Sequence, residues 1–304
     1  MRKEIIYANR LTLTIILNTM KNSYLFLIAF LLLFTACSEY DYFAPMECLT
    51  GNVQYDTSGA SIKINVASIA MQCDKLPEIN ILKMENFIEK IVTENPEVTL
   101  IVFGEMILGW YEDPDDQESY QKEIAETLPG PTTNRISKLA SKYNVYITFG
   151  MNQLLDGNLY NAQPVIGPDG SILAIHHKTY LTPADEAAGF QKGNKLTVVN
   201  IRGVKTGIVI CKDQENSKLT EEVVQNNCKL VIVSFADDIV EDFFTYGSDL
   251  SRKYNAWLVS SNRYGEEGEY FYKGEIRVSD PGGNHHIRKE DSEQYLYYSI
   301  PIHE

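Results

Sequence analysis

The sequence predicts an α/β sandwich, with helices covering sheets of apolar strands. Three observations carry that expectation. About ten short runs rich in β-branched residues alternate with four or more segments whose apolar residues recur on one helical face. Three of those runs close abruptly on a polar residue: LIVFGEM at Glu105, SILAIHHK at Lys178 and GIVICKD at Cys211. Finally, 304 residues with 44% apolar content are enough to bury a large single core.

The front of the chain does not belong to that core. Residues 24–36, YLFLIAFLLLFTA, form an unbroken apolar run after Lys21. The run is too short to span a bilayer and has the length of a secretory signal's apolar stretch. It leads into Cys37 as LLFTAC, followed by the polar SEYDY. A small residue directly before such a cysteine resembles a bacterial lipobox, with Phe34 standing where Leu or Val is commoner. Residues 1–36 are therefore expected to be a lipoprotein-type leader, with Met20 as an alternative start. Cys37 would be the lipidated N-terminus, residues 37–60 a polar linker, and residues 61–304 one domain. Loss of the leader leaves 23 basic against 40 acidic residues, a net charge of −17. Such acidity argues against nucleic acid and against attraction to anionic lipid, so the lipid anchor alone would hold the protein at a membrane. The expected location is the periplasmic face or the cell surface. In that oxidising setting Cys48 and Cys73 could pair.

The domain then reads in order. SIKINVASIAM (61–71) has the β-branched density of a buried first strand, and INILKMENFIEKIVT (79–93) places its apolar residues on one helical face. VTLIVFGEM (98–106) is a second buried strand ending at Gly104 and Glu105. The acidic stretch 110–129 follows as a loop and short helix; Asp113, Asp115, Asp116 and Glu118 lack the spacing of a calcium loop. A Pro-Gly-Pro helix and the strand VYITFG come next, then Tyr160, Asn161 and a strand running to the turn Pro168-Asp169-Gly170. SILAIHHK ends in Lys178, and a loop containing Glu186 leads to the strand 204–210 and Cys211. Beyond it lie a helix (218–228), the strand LVIVSFADD, a helix through Ser251 to Tyr254, the strand AWLVSSN, a strand and turn in FYKGEIRVSDPGGNHH, and a hairpin-like tail, QYLYYSIPI. Cys228, flanked by apolar residues, reads as a core thiol. Adjacent histidines on a strand face opposite ways, so neither His176–His177 nor His285–His286 reads as a metal site.

The strand-end trio supplies a chemistry. A thiolate is the nucleophilic form of cysteine, and a free thiol titrates near pH 8.5. A neighbouring ammonium lowers that value, while a carboxylate can take the thiol proton as attack begins. A lysine can also hold the oxyanion formed when sulfur adds to a carbonyl carbon.

Here the residues resemble a known family. Residues 61 to about 290 are similar to the nitrilase superfamily, the carbon–nitrogen hydrolases. The similarity rests on KINVASIAM, LIVFGEM, LPGPTTNRISKLASKYNVYITFG, LYNAQPVIGPDGSIL, HHKTYL, GIVICKD, SRKYNAWLVSSNRYG and the segment Phe271, Gly274, Asp280, Pro281, Gly283, in that order. The resemblance implies a four-layer α-β-β-α sandwich that commonly dimerises, and a Glu105–Lys178–Cys211 triad that needs no metal or organic cofactor. It implies hydrolysis of a small non-peptide amide or carbamoyl compound, with Lys212 lending a backbone N–H to the oxyanion. Glu186, eight residues after the lysine, occupies the spacing of a second glutamate that positions substrate in some members. The chain departs from the family at QENSK (214–218) and SFADDIVED, both bordering the substrate pocket in the family. An acyltransferase of the same superfamily and a catalytically inert ligand-binding lipoprotein are the alternatives.

Overall fold

The computed structural model describes Gly59, residues 62–238 and residues 250–303. The expected leader, Cys37 and Cys48 lie outside the described residues.

The strand β1 (Ile62–Gln72) is the axis of the molecule. Its alternation sends Ala67, Ile69 and Met71 to one face and Ile64, Val66 and Ala70 to the other, so both faces are covered. β1 pairs in parallel with β2 (Leu100–Val102), which pairs in parallel with β3 (Tyr146–Thr148). The first sheet continues antiparallel through β5 (Asn158–Ile166) to β4 (Met151–Leu155) and β6 (Ile172–His177).

The second sheet contains β7 (Thr197–Ile201), β8 (Val204–Ile210), β9 (Leu230–Ser234) and β10 (Trp257–Glu267). It is completed by β12 (Ile276–Ser279) and β13 (His285–Lys289). β10 belongs to both sheets. Trp257 to Ser261 pair with β9, and from Asn262 the strand pairs with β1. At this crossing the Ser68 hydroxyl donates to the Ser260 carbonyl at 2.6 Å and the Ser261 hydroxyl to the Ile69 carbonyl at 2.5 Å. Buried backbone acceptors are thereby satisfied where a regular ladder breaks.

Three apolar clusters define the layers. The facing sheets enclose Val66, Leu100, Val102, Ile208, Ile232 and Trp257. On the outer face of the first sheet lie α1 (Pro77–Glu94) and α3 (Pro131–Tyr143), contributing Ile81, Met84, Ile88 and Ile136. Against the outer face of the second lie α5 (Ser217–Gln225) and the helical residues 250–254, contributing Leu219, Val223, Leu250 and Tyr254. The layering is α-β-β-α, as the sequence led us to expect. Among the described residues no helix is long and apolar enough to cross a membrane.

Fourteen strands are described, more than the ten or so expected, because short antiparallel pieces escape a periodicity reading. β4 is one of these: it forms a hairpin with β5 across Asp156 and Gly157, at φ 52° and 79°. An Asp-Gly pair is well suited to such a two-residue turn. The tail forms no hairpin of its own; β14 (Gln294–Ile302) lies antiparallel along β1. β2 stops at Val102 rather than running to Met106, and this matters for the site. Cys228 is a core thiol as read, and Cys73 is buried and free, so it makes no disulfide here.

Ile88 is fully buried between α1 and the first sheet. Its truncation in Ile88→Ala should cost about 2–4 kcal/mol, read as a lower denaturation midpoint with an unchanged denaturant slope.

Candidate active site

Glu105 lies just past the end of β2, where the chain is strung between the two sheets. Phe103 N–H donates to Thr148 of the first sheet, and Glu105 N–H to the Phe235 carbonyl beyond β9. Gly150 packs so closely that a Cβ there would lie 2.6 Å from the Glu105 Cα and 2.3 Å from the Met106 nitrogen. Only glycine tolerates that approach. On the other flank the buried Arg263 donates to the carbonyls of Glu105 (3.0 Å) and Met106 (2.7 Å), itself aimed by Glu267 at 2.7 Å. The Glu105 backbone is thus gripped before its side chain does anything.

Lys178 closes β6. Its N–H donates to the Asn161 carbonyl at 2.9 Å, and its carbonyl accepts from Gly193 at 2.7 Å. The fully buried ammonium donates to Glu105 Oε1 and sits against Asp185 Oδ2, both at 2.7 Å, with the Tyr111 hydroxyl at 3.4 Å. Asn161 Nδ2 also donates to Glu105 Oε1, at 2.7 Å. Glu105 Oε2 is buried and makes no hydrogen bond to a described residue. That oxygen keeps lone pairs available to take a proton.

Cys211 begins a short 3-10 turn (Cys211–Glu215) at the end of β8, with φ at +42°. A non-glycine residue there is held by its surroundings rather than by its own preference. The restraint comes from Asp213, wholly buried. Its Oδ1 accepts from Thr179 N (2.6 Å), Thr179 Oγ1 (2.7 Å) and Tyr180 N (2.9 Å). Its Oδ2 accepts from Ile210 N at 3.0 Å and faces His176 Nε2 at 2.9 Å. One carboxylate therefore ties the residues flanking Lys178 to those flanking Cys211.

The electrostatics follow from burial. Loss of water pushes the Glu105 carboxyl up, and the Lys178 charge offsets this only in part. Burial works against the Lys178 ammonium, but Glu105 and the groups around it outweigh burial and hold it charged. Enclosure pushes the Cys211 thiol well up and Glu105 pushes further, so the resting sulfur is protonated and must hand its proton to a base. For Asp213, burial alone would raise the carboxyl; the hydrogen bonds led by His176 reverse that and hold it below its ordinary value.

A cavity of about 530 Å³ opens onto Cys211. Tyr111, Glu112, Lys212, Glu215 and Asp237 are among its walls. Cys211 lies close enough to Glu105 and Lys178 for both charges to act on its thiol, and Lys212 borders the cavity with its ammonium 3.5 Å from Glu215. Glu186 does not join them. Its side chain is 61% exposed and faces Lys192 at 3.7 Å. Asp185 takes the inward place instead, because neighbours on a helix point about 100° apart. The short helix α4 (Pro183–Ala187) is started by Thr182, whose hydroxyl accepts from Asp185 N–H at 3.1 Å while Asp185 Oδ2 accepts from Thr182 N–H at 2.8 Å. The T-P-A-D signature of that capping box was legible in the sequence. Tyr111, on a loop, had no such signal. His176 and His177 diverge as expected: His177 stacks on Tyr160 at 4.4 Å while His176 meets Asp213.

Comparisons with known proteins point to one family. The carbon–nitrogen hydrolase family model matches residues 65–297. A protein of Schizosaccharomyces pombe described as a probable nitrilase is 25% identical over 79% of this chain and 90% of its own length. The omega-amidase NIT2 of Mus musculus is 30% identical over 60% of this chain and 71% of its own. Among solved structures, Nit3 of Saccharomyces cerevisiae, a nitrilase-superfamily member, superposes with a TM-score of 0.70 at 20% identity, covering 81% of this chain and 92% of that one.

Asp213→Asn removes the charge that collects these donors and should cost about 3 kcal/mol at neutral pH. Because the Asp213 carboxyl is held low in the folded state, its contribution is present above its unfolded value and fades as pH falls through the folded one. Denaturation of wild type and variant across pH 3 to 7 should therefore show the gap narrowing in acid.

Proposed function

Because the chain belongs to the carbon–nitrogen hydrolase family, we propose that it hydrolyses a small non-peptide amide through a thioester on Cys211, with Glu105 and Lys178 completing the triad. The observation that carries this reading is the buried Lys178 ammonium bridging Glu105 and Asp185 at 2.7 Å each, within electrostatic reach of a cysteine whose φ is positive. The relative from Mus musculus is named an omega-amidase, which supports an amide as the bond cleaved.

In this mechanism Cys211 Sγ adds to the amide carbon as Glu105 takes its proton. The oxyanion is held by the Lys178 ammonium and the backbone N–H of Lys212. Glu105 then gives the proton to the departing nitrogen, the C–N bond breaks, and a thioester remains. A water attacks the thioester, giving its proton to Glu105; collapse releases the carboxylic acid and returns the proton to sulfur. Asp185 and Asn161 hold Lys178 and Glu105 in place throughout. The protein would act outside the cytoplasm, tethered through lipid on Cys37, since the leader-like run 24–36 ends at that cysteine.

Cys211→Ala should abolish turnover and the acyl-enzyme mass seen on acid quench, with thermal stability nearly unchanged; retained turnover would end this mechanism. For wild type, kcat/KM should fall as pH drops through the Glu105 pKa, which burial raises above the 4.5 of an ordinary glutamate. A pH–rate profile whose acid limb lies at or below that value would contradict Glu105 as the base.

A further inference from the structure

The charge around the nucleophile selects among amides. Among the described residues lining the cavity, three carry carboxylates (Glu112, Glu215 and Asp237) and only Lys212 carries an ammonium. That ammonium already faces Glu215 at 3.5 Å and lies over the Tyr180 ring. The hydrogen-bonding wall is also acceptor-rich. The Gln214 Oε1 on the same wall is buried and makes no hydrogen bond to a described residue. Glu112 is steadied by the Tyr270 hydroxyl, which donates to Oε2 at 3.0 Å. Deeper in, Lys178 already faces two carboxylates.

An anionic substituent would enter this space against like charge. A neutral one would leave the acceptors unmatched, at a cost wherever they lose water. An alkylammonium or guanidinium brings donors alone and the opposite charge. Resting on the amidase reading above, we propose that the substrates are small amides whose acyl part carries a cationic group, held by Glu112 and Glu215 while Cys211 attacks the amide carbon. Only the substrate's charge is new here; the bonds made and broken are those already described.

The test compares kcat/KM of the full-length protein in detergent on 5-aminopentanamide, pentanamide and glutaramic acid, which are similar in length and differ in terminal charge. The cationic amide should exceed the neutral one by about tenfold and the anionic one by more, the size expected for partly screened charges a few ångströms apart. The preference should shrink as salt rises from 0.02 to 0.5 M. Glu112→Gln keeps the shape and an acceptor for Tyr270; it should lower the cationic rate several-fold more than the pentanamide rate, shrinking the ratio between them. Equal rates on all three amides, or a faster anionic amide, would overturn the charge selection and leave the amidase reading standing. Failure of all three to give turnover or an acyl-enzyme mass would remove the amidase reading and this inference with it.

Discussion

A lysine ammonium with no exposed surface, held between two carboxylates, is the constraint on which the rest of this structure depends. An isolated charge in that position would cost several kcal/mol, and removing either partner would leave the other uncompensated. The fold therefore has to deliver Glu105, Lys178 and Asp185 to within hydrogen-bond distance from three separate stretches of chain. Much of the polar interior serves that delivery. Arg263 holds the Glu105 backbone, Asn161 holds both its carboxylate and the Lys178 N–H, and a capping box turns Asp185 inward.

Cys211 depends on the same apparatus at one remove. Cys211 keeps its +42° φ because Asp213, two residues on, gathers donors from the segment that follows Lys178. Lysine and cysteine thus share a single buried anchor. The sheets share one as well, since β10 passes from one to the other and fixes how they face. With water excluded, the Cys211 thiol is held protonated, and the proton affinity of the Glu105 carboxylate is raised as well. Thiol and carboxyl are tuned by the same loss of solvent.

The cavity mouth carries charge of a different kind. Glu112 and Glu215 are partly solvated, so they cost little to keep and can favour a partner's charge without holding the fold together. The chain's excess of acids, −14 overall, is thus felt at the cavity over Cys211 as well as on the remote surface.

The sequence by itself determined the layers and singled out three polar residues at strand ends. Strands buried on both faces read as apolar runs, and a polar residue closing such a run is visible without knowing where the run goes. Hence Glu105, Lys178 and Cys211 were legible, as was the divergence of His176 and His177. Only the tertiary structure decided which of two adjacent acids serves the lysine. The spacing favours Glu186, yet a single capped helical turn faces Asp185 inward and leaves Glu186 in water with Lys192. It likewise decided the roles of Tyr111, Arg263 and Asp213, each of which meets a partner far off in the chain, 67, 158 and 34 residues away respectively. One-dimensional periodicity records which side of its own element a residue occupies, but partners so distant meet only when separate elements pack.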